Sequence, residues 1–125
     1  MLRQGPIPRF VHGVAEYVGG GVLGAAPFVL NFHSSDAKAV AIVIGVVVIG
    51  FAASTDGPTG LVNSIPLAAH VSLDYLLAGV LIGAPFIFSF SSEAAPTAFF
   101  IVIGVLHLLI TIGTRFSKRE AAESG

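Results

Sequence analysis

A histidine followed four residues later by a carboxylate occurs twice in this chain, as His12 and Glu16 and again as His70 and Asp74. Four residues is about one helical turn, so each pair shares a helix face and can form a hydrogen bond or an ion pair. A further histidine, His107, has Gly104 and Thr111 along its own face. All five groups fall inside apolar runs, where a charged residue costs roughly 2.5 to 3.5 kcal/mol at the centre of a bilayer, so each needs a physical reason. Three kinds of chemistry suit the set. The pairs can neutralise one another and hold helices together, as polar groups in membranes do. They can ligate a metal, and His12 with His70 stand as two axial haem ligands would. They can also pass protons or ions. The Glu-x-x-His pair of the di-iron bundles is missing, and the far half of the apolar runs carries no matching polar row. The expectation is therefore a structural polar layer of His12, Glu16, His70, Asp74 and His107, with no catalytic residue, no metal and no cofactor.

Other chemistries fail on context. There is no cysteine, which excludes a disulfide, a thiolate metal site and a thiol nucleophile. Gly19, Gly20 and Gly21 lie inside an apolar run, without a preceding strand or an adjoining lysine, so they are not a phosphate-binding loop. No serine has the surroundings of a nucleophile. The basic residues after the last apolar run, Arg115, Lys118 and Arg119, suit anionic lipid headgroups rather than nucleic acid.

The elements that must position the polar residues come from a duplication. Residues 12–34 return without a gap as residues 70–92, with His12/His70, Tyr17/Tyr75, Gly21/Gly79, Leu23/Leu81, Pro27/Pro85 and Phe32/Phe90 among the identities. After a one-residue slip, IVIGV at 42–46 recurs at 101–105. Charged residues are 10% of the chain and mean hydropathy is +0.91. Soluble domains carry about 25% charged residues, so the solvent for this chain is a bilayer. The predicted architecture is all-α, an integral membrane four-helix bundle built from two parallel two-helix repeats. Residues 1–10 form an N-terminal segment, 11–53 the first repeat, 54–66 a turn-rich linker, 67–114 the second repeat and 115–125 a polar tail. The first apolar run resembles a signal peptide, but its recurrence in mid-chain and Glu16 within it predict a retained helix.

In the first and third helices, Gly21 with Ala25 and Gly79 with Gly83 place small residues four apart, a spacing that lets two helices approach closely in lipid. These are expected to pack the two helices at the centre of the bundle. Pro27 and Pro85 are expected to kink them. Five of the six basic residues lie toward the termini and only Lys38 lies elsewhere, which predicts both termini in the cytoplasm and a location in the inner (cytoplasmic) membrane. Counting from that side at 1.5 Å per residue puts Glu16, Asp74 and His107 about 10 to 12 Å deep, in one layer.

A carboxylate and an aromatic, then a glycine-rich turn, then a proline tripeptide before a second helix read here as Glu16-Tyr17, Gly21 and Ala26-Pro27-Phe28, and again as Asp74-Tyr75, Gly79 and Ala84-Pro85-Phe86. Over residues 10–114 this resembles the SPW-repeat integral membrane proteins. Alanine replaces serine and phenylalanine replaces tryptophan in both copies, so the signature tripeptide keeps only its proline. The resemblance implies a small bacterial or archaeal four-helix membrane protein and no particular activity. The functional expectation is a non-enzymatic accessory role, a small subunit docked on larger membrane subunits or on copies of itself. Respiratory assemblies and copper-dependent membrane monooxygenases are the kinds of host considered. The alternative is a small channel, transporter, or metal- or haem-binding membrane protein using the polar layer.

Overall fold

The computed structural model describes residues 5–55, 59–62 and 64–114. The expected tail at 115–125, with Arg115, Lys118 and Arg119, lies outside the described residues, as does Arg3. The chain forms four helices, α1 (Arg9–Val29), α2 (Ser35–Ser54), α3 (Leu67–Ile87) and α4 (Ala94–Gly113), and no strand among the described residues. Three of them, α2, α3 and α4, are long and apolar enough to cross a membrane. The other, α1, is as long as α3, but its five glycines, His12 and Glu16 lower its hydropathy.

The duplication sets where each helix begins and ends. Pro8 and Pro66 stand at the N-caps of α1 and α3, where a missing N–H costs nothing. Their carbonyls accept the backbone N–H groups of His12 and His70, each at 3.1 Å, so each histidine sits one turn inside its helix. At the other end, Pro27 and Pro85 lie in the last turn of α1 and α3. Each helix ends within a few residues of its proline. Asn31 (φ 53°) and Ser89 (φ 60°) turn left-handed, and the Phe32 and Phe90 N–H groups reach back to the Pro27 and Pro85 carbonyls at 3.0 and 2.9 Å. This six-to-one closure satisfies the last carbonyls of the helix. It also buries Phe32 and Phe90.

Helices pack first within a repeat, α1 on α2 and α3 on α4. The close approach is made by the glycine of each IVIGV block. A Cβ on Gly45 would lie 2.7 Å from the Gly20 carbonyl oxygen, and one on Gly104 would lie 3.0 Å from the Ile82 nitrogen and the Leu81 Cβ. The expectation that Gly21/Ala25 and Gly79/Gly83 pack α1 on α3 is overturned. Gly21, Ala25 and Gly79 are exposed, nothing stands within 4 Å of a Cβ on Gly21 or Gly79, and a Cβ on Gly83 would meet only Ile87 of its own helix. The reason is rotational. Leu23 and Leu81 face the core, and a residue two positions away is turned by about 200° on a helix.

The two repeats then close around one core that includes Leu23, Ala41, Val48, Leu81 and Phe100. One end of the bundle holds the starts of α1 and α3 and the ends of α2 and α4, joined by the paired bridges Ile7–Thr114 and Thr55–Ile65. The opposite end is filled by Phe32, Phe90, Phe99 and Phe100, with ring centroids 5.2 to 5.9 Å apart. There Glu93 joins the repeats. Its carboxylate accepts the His33 and Ser34 backbone N–H groups at 2.7 and 2.8 Å, which holds its carboxyl below the usual carboxylate range.

Candidate metal centre between the repeats

The start of α1 supplies His12 and Glu16, and the start of α3 supplies His70 and Asp74. In the fold these four side chains meet, each only 4 to 8% exposed. The i,i+4 contacts expected within each helix are present, at 3.2 Å for His12 Nε2 to Glu16 and 3.2 Å for His70 Nε2 to Asp74. The shorter contacts cross the repeats. His12 Nε2 lies 3.0 Å from Asp74 Oδ2, and His70 Nε2 lies 2.8 Å from Glu16 Oε2. The four groups thus form a closed ring in which histidine and carboxylate alternate.

The opposite nitrogen of each histidine also crosses to the other repeat. His12 Nδ1 meets the Thr114 hydroxyl at 2.7 Å, and His70 Nδ1 meets the Thr55 hydroxyl. Each hydroxyl donates to the carbonyl one turn back on its own helix, Thr114 to Ile110 and Thr55 to Phe51, both at 2.6 Å. With its only proton committed there, a threonine hydroxyl can receive the histidine only as an acceptor. Each Nδ1 therefore carries the proton of the histidine-threonine bond. In the neutral ring the lone pair is then on Nε2, aimed into the ring of four.

Two imidazole nitrogens and two carboxylates are donors that a cation can take. The ligand atoms of His12, Glu16, His70 and Asp74 all lie within 4.8 Å of one another. Bonds of roughly 2.0 to 2.1 Å to a tetrahedral ion give donor–donor edges of about 3.3 Å. The ring edges of 2.8 to 3.2 Å are close to that spacing. Two carboxylates balance the charge of a divalent ion, which matters where water is scarce.

His107 joins the layer at its edge. Its Nε2 is 3.6 Å from Asp74 Oδ1, longer than a hydrogen bond, and this buried nitrogen has no hydrogen-bond partner. Its ring centroid is 6.2 Å from that of His12. All five expected polar residues are therefore brought together. Thr55 and Thr114 were not among them, although alignment of the second helices from IVIGV onward ends on these two threonines.

Every buried polar or charged side chain among the described residues belongs to this end of the bundle: His12, Glu16, Thr55, His70, Asp74, Thr111 and Thr114. Beyond it the core is aliphatic and then aromatic, so no polar path toward the far end is visible among the described residues. Compared with protein-family models, with curated proteins and with solved structures, the chain matches none.

Proposed function

We propose that the protein is a small multi-pass membrane protein that holds one divalent transition-metal ion at the seam between its two repeats. The observation that carries this reading is the convergence of two Nε2 atoms and two carboxylates, with both Nδ1 atoms anchored on threonines. Such anchoring of the rear nitrogen is how proteins orient ligating histidines. Mixed imidazole and carboxylate donors without thiolate favour a borderline ion, Zn2+ first, then Fe2+ or Mn2+. The charge layout of the termini supports both ends in the cytoplasm and a site on the cytoplasmic side of the inner membrane.

The test is metal analysis of full-length protein extracted from membranes in mild detergent, followed by Zn2+ titration of the stripped protein. About one equivalent is expected, lost in the Glu16→Gln/Asp74→Asn variant while helicity stays native by circular dichroism. Protein that neither retains nor binds Zn2+, Fe2+ or Mn2+ would overturn the reading.

The accessory role is the second reading. It is supported by the outward face of α1, where Gly21 and Ala25 are exposed and a Cβ on Gly21 would meet nothing within 4 Å. Under it the ring is a clasp between repeats and the protein is a non-enzymatic subunit of a larger membrane assembly, in keeping with the SPW-repeat resemblance. Native mass spectrometry decides between them, since co-migration with larger subunits at fixed stoichiometry and no bound metal favours the clasp.

A further inference from the structure

The two repeats are near copies, yet the seams on either side of the ring differ. Between α1 and α4 lies a cleft of about 250 Å³, with His12, Glu16 and His107 among its lining residues. The equivalent seam between α2 and α3 encloses only about 30 Å³. Ala15 and Gly19 of the cleft correspond to Leu73 and Leu77 of the closed seam, and His107 corresponds to Val48. One carboxylate of the ring, Asp74, thus has a further imidazole beside it, with Nε2 at 3.6 Å from its Oδ1. The cleft on its other side leaves that imidazole room to shift.

A buried nitrogen without a hydrogen bond calls for an explanation, and His107 Nε2 is one. It is shut off from solvent and faces Asp74 Oδ1, so its partner has to come from the protein. His70 Nε2 also approaches Oδ1, at 3.2 Å, and His12 Nε2 approaches Oδ2 at 3.0 Å. An ion in the ring takes both of those nitrogens as ligands, and a ligating nitrogen has no proton left for a carboxylate. Asp74 Oδ1 then lacks a donor beside a nitrogen that lacks an acceptor. Closing their gap to about 2.9 Å takes a shift of roughly 0.7 Å. We propose that His107 is a positioning residue for the metal site, its Nε2–H holding Asp74 Oδ1 so that Asp74 meets the ion through Oδ2 alone. This rests on the metal reading of the ring. Holding back one oxygen makes the ligand set smaller, which favours tetrahedral Zn2+ over Mn2+, an ion that takes octahedral sites rich in oxygen. His107 thereby biases the site toward Zn2+. Val48, at the matching place in the first repeat, offers no N–H.

Valine is already accommodated at this place in the first repeat, and glutamine keeps a side-chain N–H, so His107→Val and His107→Gln form the informative pair. Full-length protein in lipid nanodiscs is stripped of metal and titrated with Zn2+, Mn2+ and Co2+. The last reports geometry, because its visible absorption is strong in a tetrahedral site and weak at higher coordination. His107→Val should weaken Zn2+ binding about 10- to 100-fold, weaken Mn2+ binding less, and dim the Co2+ band. His107→Gln should recover most of the Zn2+ affinity and of the band. Zn2+ affinity and Co2+ absorption unchanged in His107→Val would overturn the proposal while the metal reading stands. So would a loss equal in the two variants, or equal for Zn2+ and Mn2+, since lost packing does not discriminate between them. Wild type that takes up none of the three ions would overturn both readings.

Discussion

Thr55 and Thr114 have the most specific part to play for their size, because each orients a histidine by accepting from its rear nitrogen. Valine keeps their shape and removes the acceptor. Thr55→Val and Thr114→Val should therefore leave the helices intact and weaken Zn2+ binding about 10- to 100-fold each, read by competition with a chromophoric chelator. Unchanged affinity would mean that the histidine orientation does not depend on the threonines. Histidine and carboxylate types at a four-residue spacing were legible in the chain. Their partners were not, because the i,i+4 rule describes contacts within one helix, whereas the shorter bonds of His12 and His70 go to Asp74 and Glu16 of the opposite repeat.

At the scale of the helix, the duplicated blocks marked the four elements and their order. The small-residue spacing misjudged the packing face. In Gly19-Gly20-Gly21 three consecutive glycines point about 100° apart, so sequence alone leaves open which one meets a neighbour. The fold selects Gly20, against Gly45. Gly45→Val and Gly104→Val should each destabilise the bundle by about 1 to 3 kcal/mol through overpacking, measured by unfolding in mixed micelles. Gly21→Leu and Gly79→Leu should be tolerated in the isolated protein, since a Cβ at either meets nothing. Loss of fold in the latter pair would show that the outward face is needed within the chain itself.

Across the whole molecule the repeats are joined at both ends, by the histidine–carboxylate ring at one and by Glu93 at the other. The Glu93 carboxyl is held low by two backbone N–H groups. A carboxyl depressed in the folded state adds stability above its unfolded pKa, about 4.3 for glutamate, and that stability is lost as pH falls through the folded value. Thermal stability of the wild type should thus fall on acidification below about pH 4.3, and Glu93→Gln should already be less stable at neutral pH and show a smaller acid-dependent drop. An identical pH profile in the variant would remove Glu93 as a tether. Glu93 stands at the N-cap of α4, as Ser34 does at the N-cap of α2. Ser34 caps its own helix through Ala37, while Glu93 reaches across to the other repeat.

The chain by itself determined the class of object: the duplication, the four helices, the apolar character of α2, α3 and α4, and the five polar residues that share a layer. These follow from spacing and composition, which act locally and can be read along a single strand of residues. Tertiary structure decided which faces meet, and with them the ring across the repeats, the threonine acceptors, the packing glycines and the open α1–α4 cleft. Each depends on the rotation of one helix against another, and a rotation is set by how whole side chains interlock. The contrast of Ala15 and Gly19 with Leu73 and Leu77 was present in the sequence throughout. It became a cavity only when both seams were placed around the same polar ring.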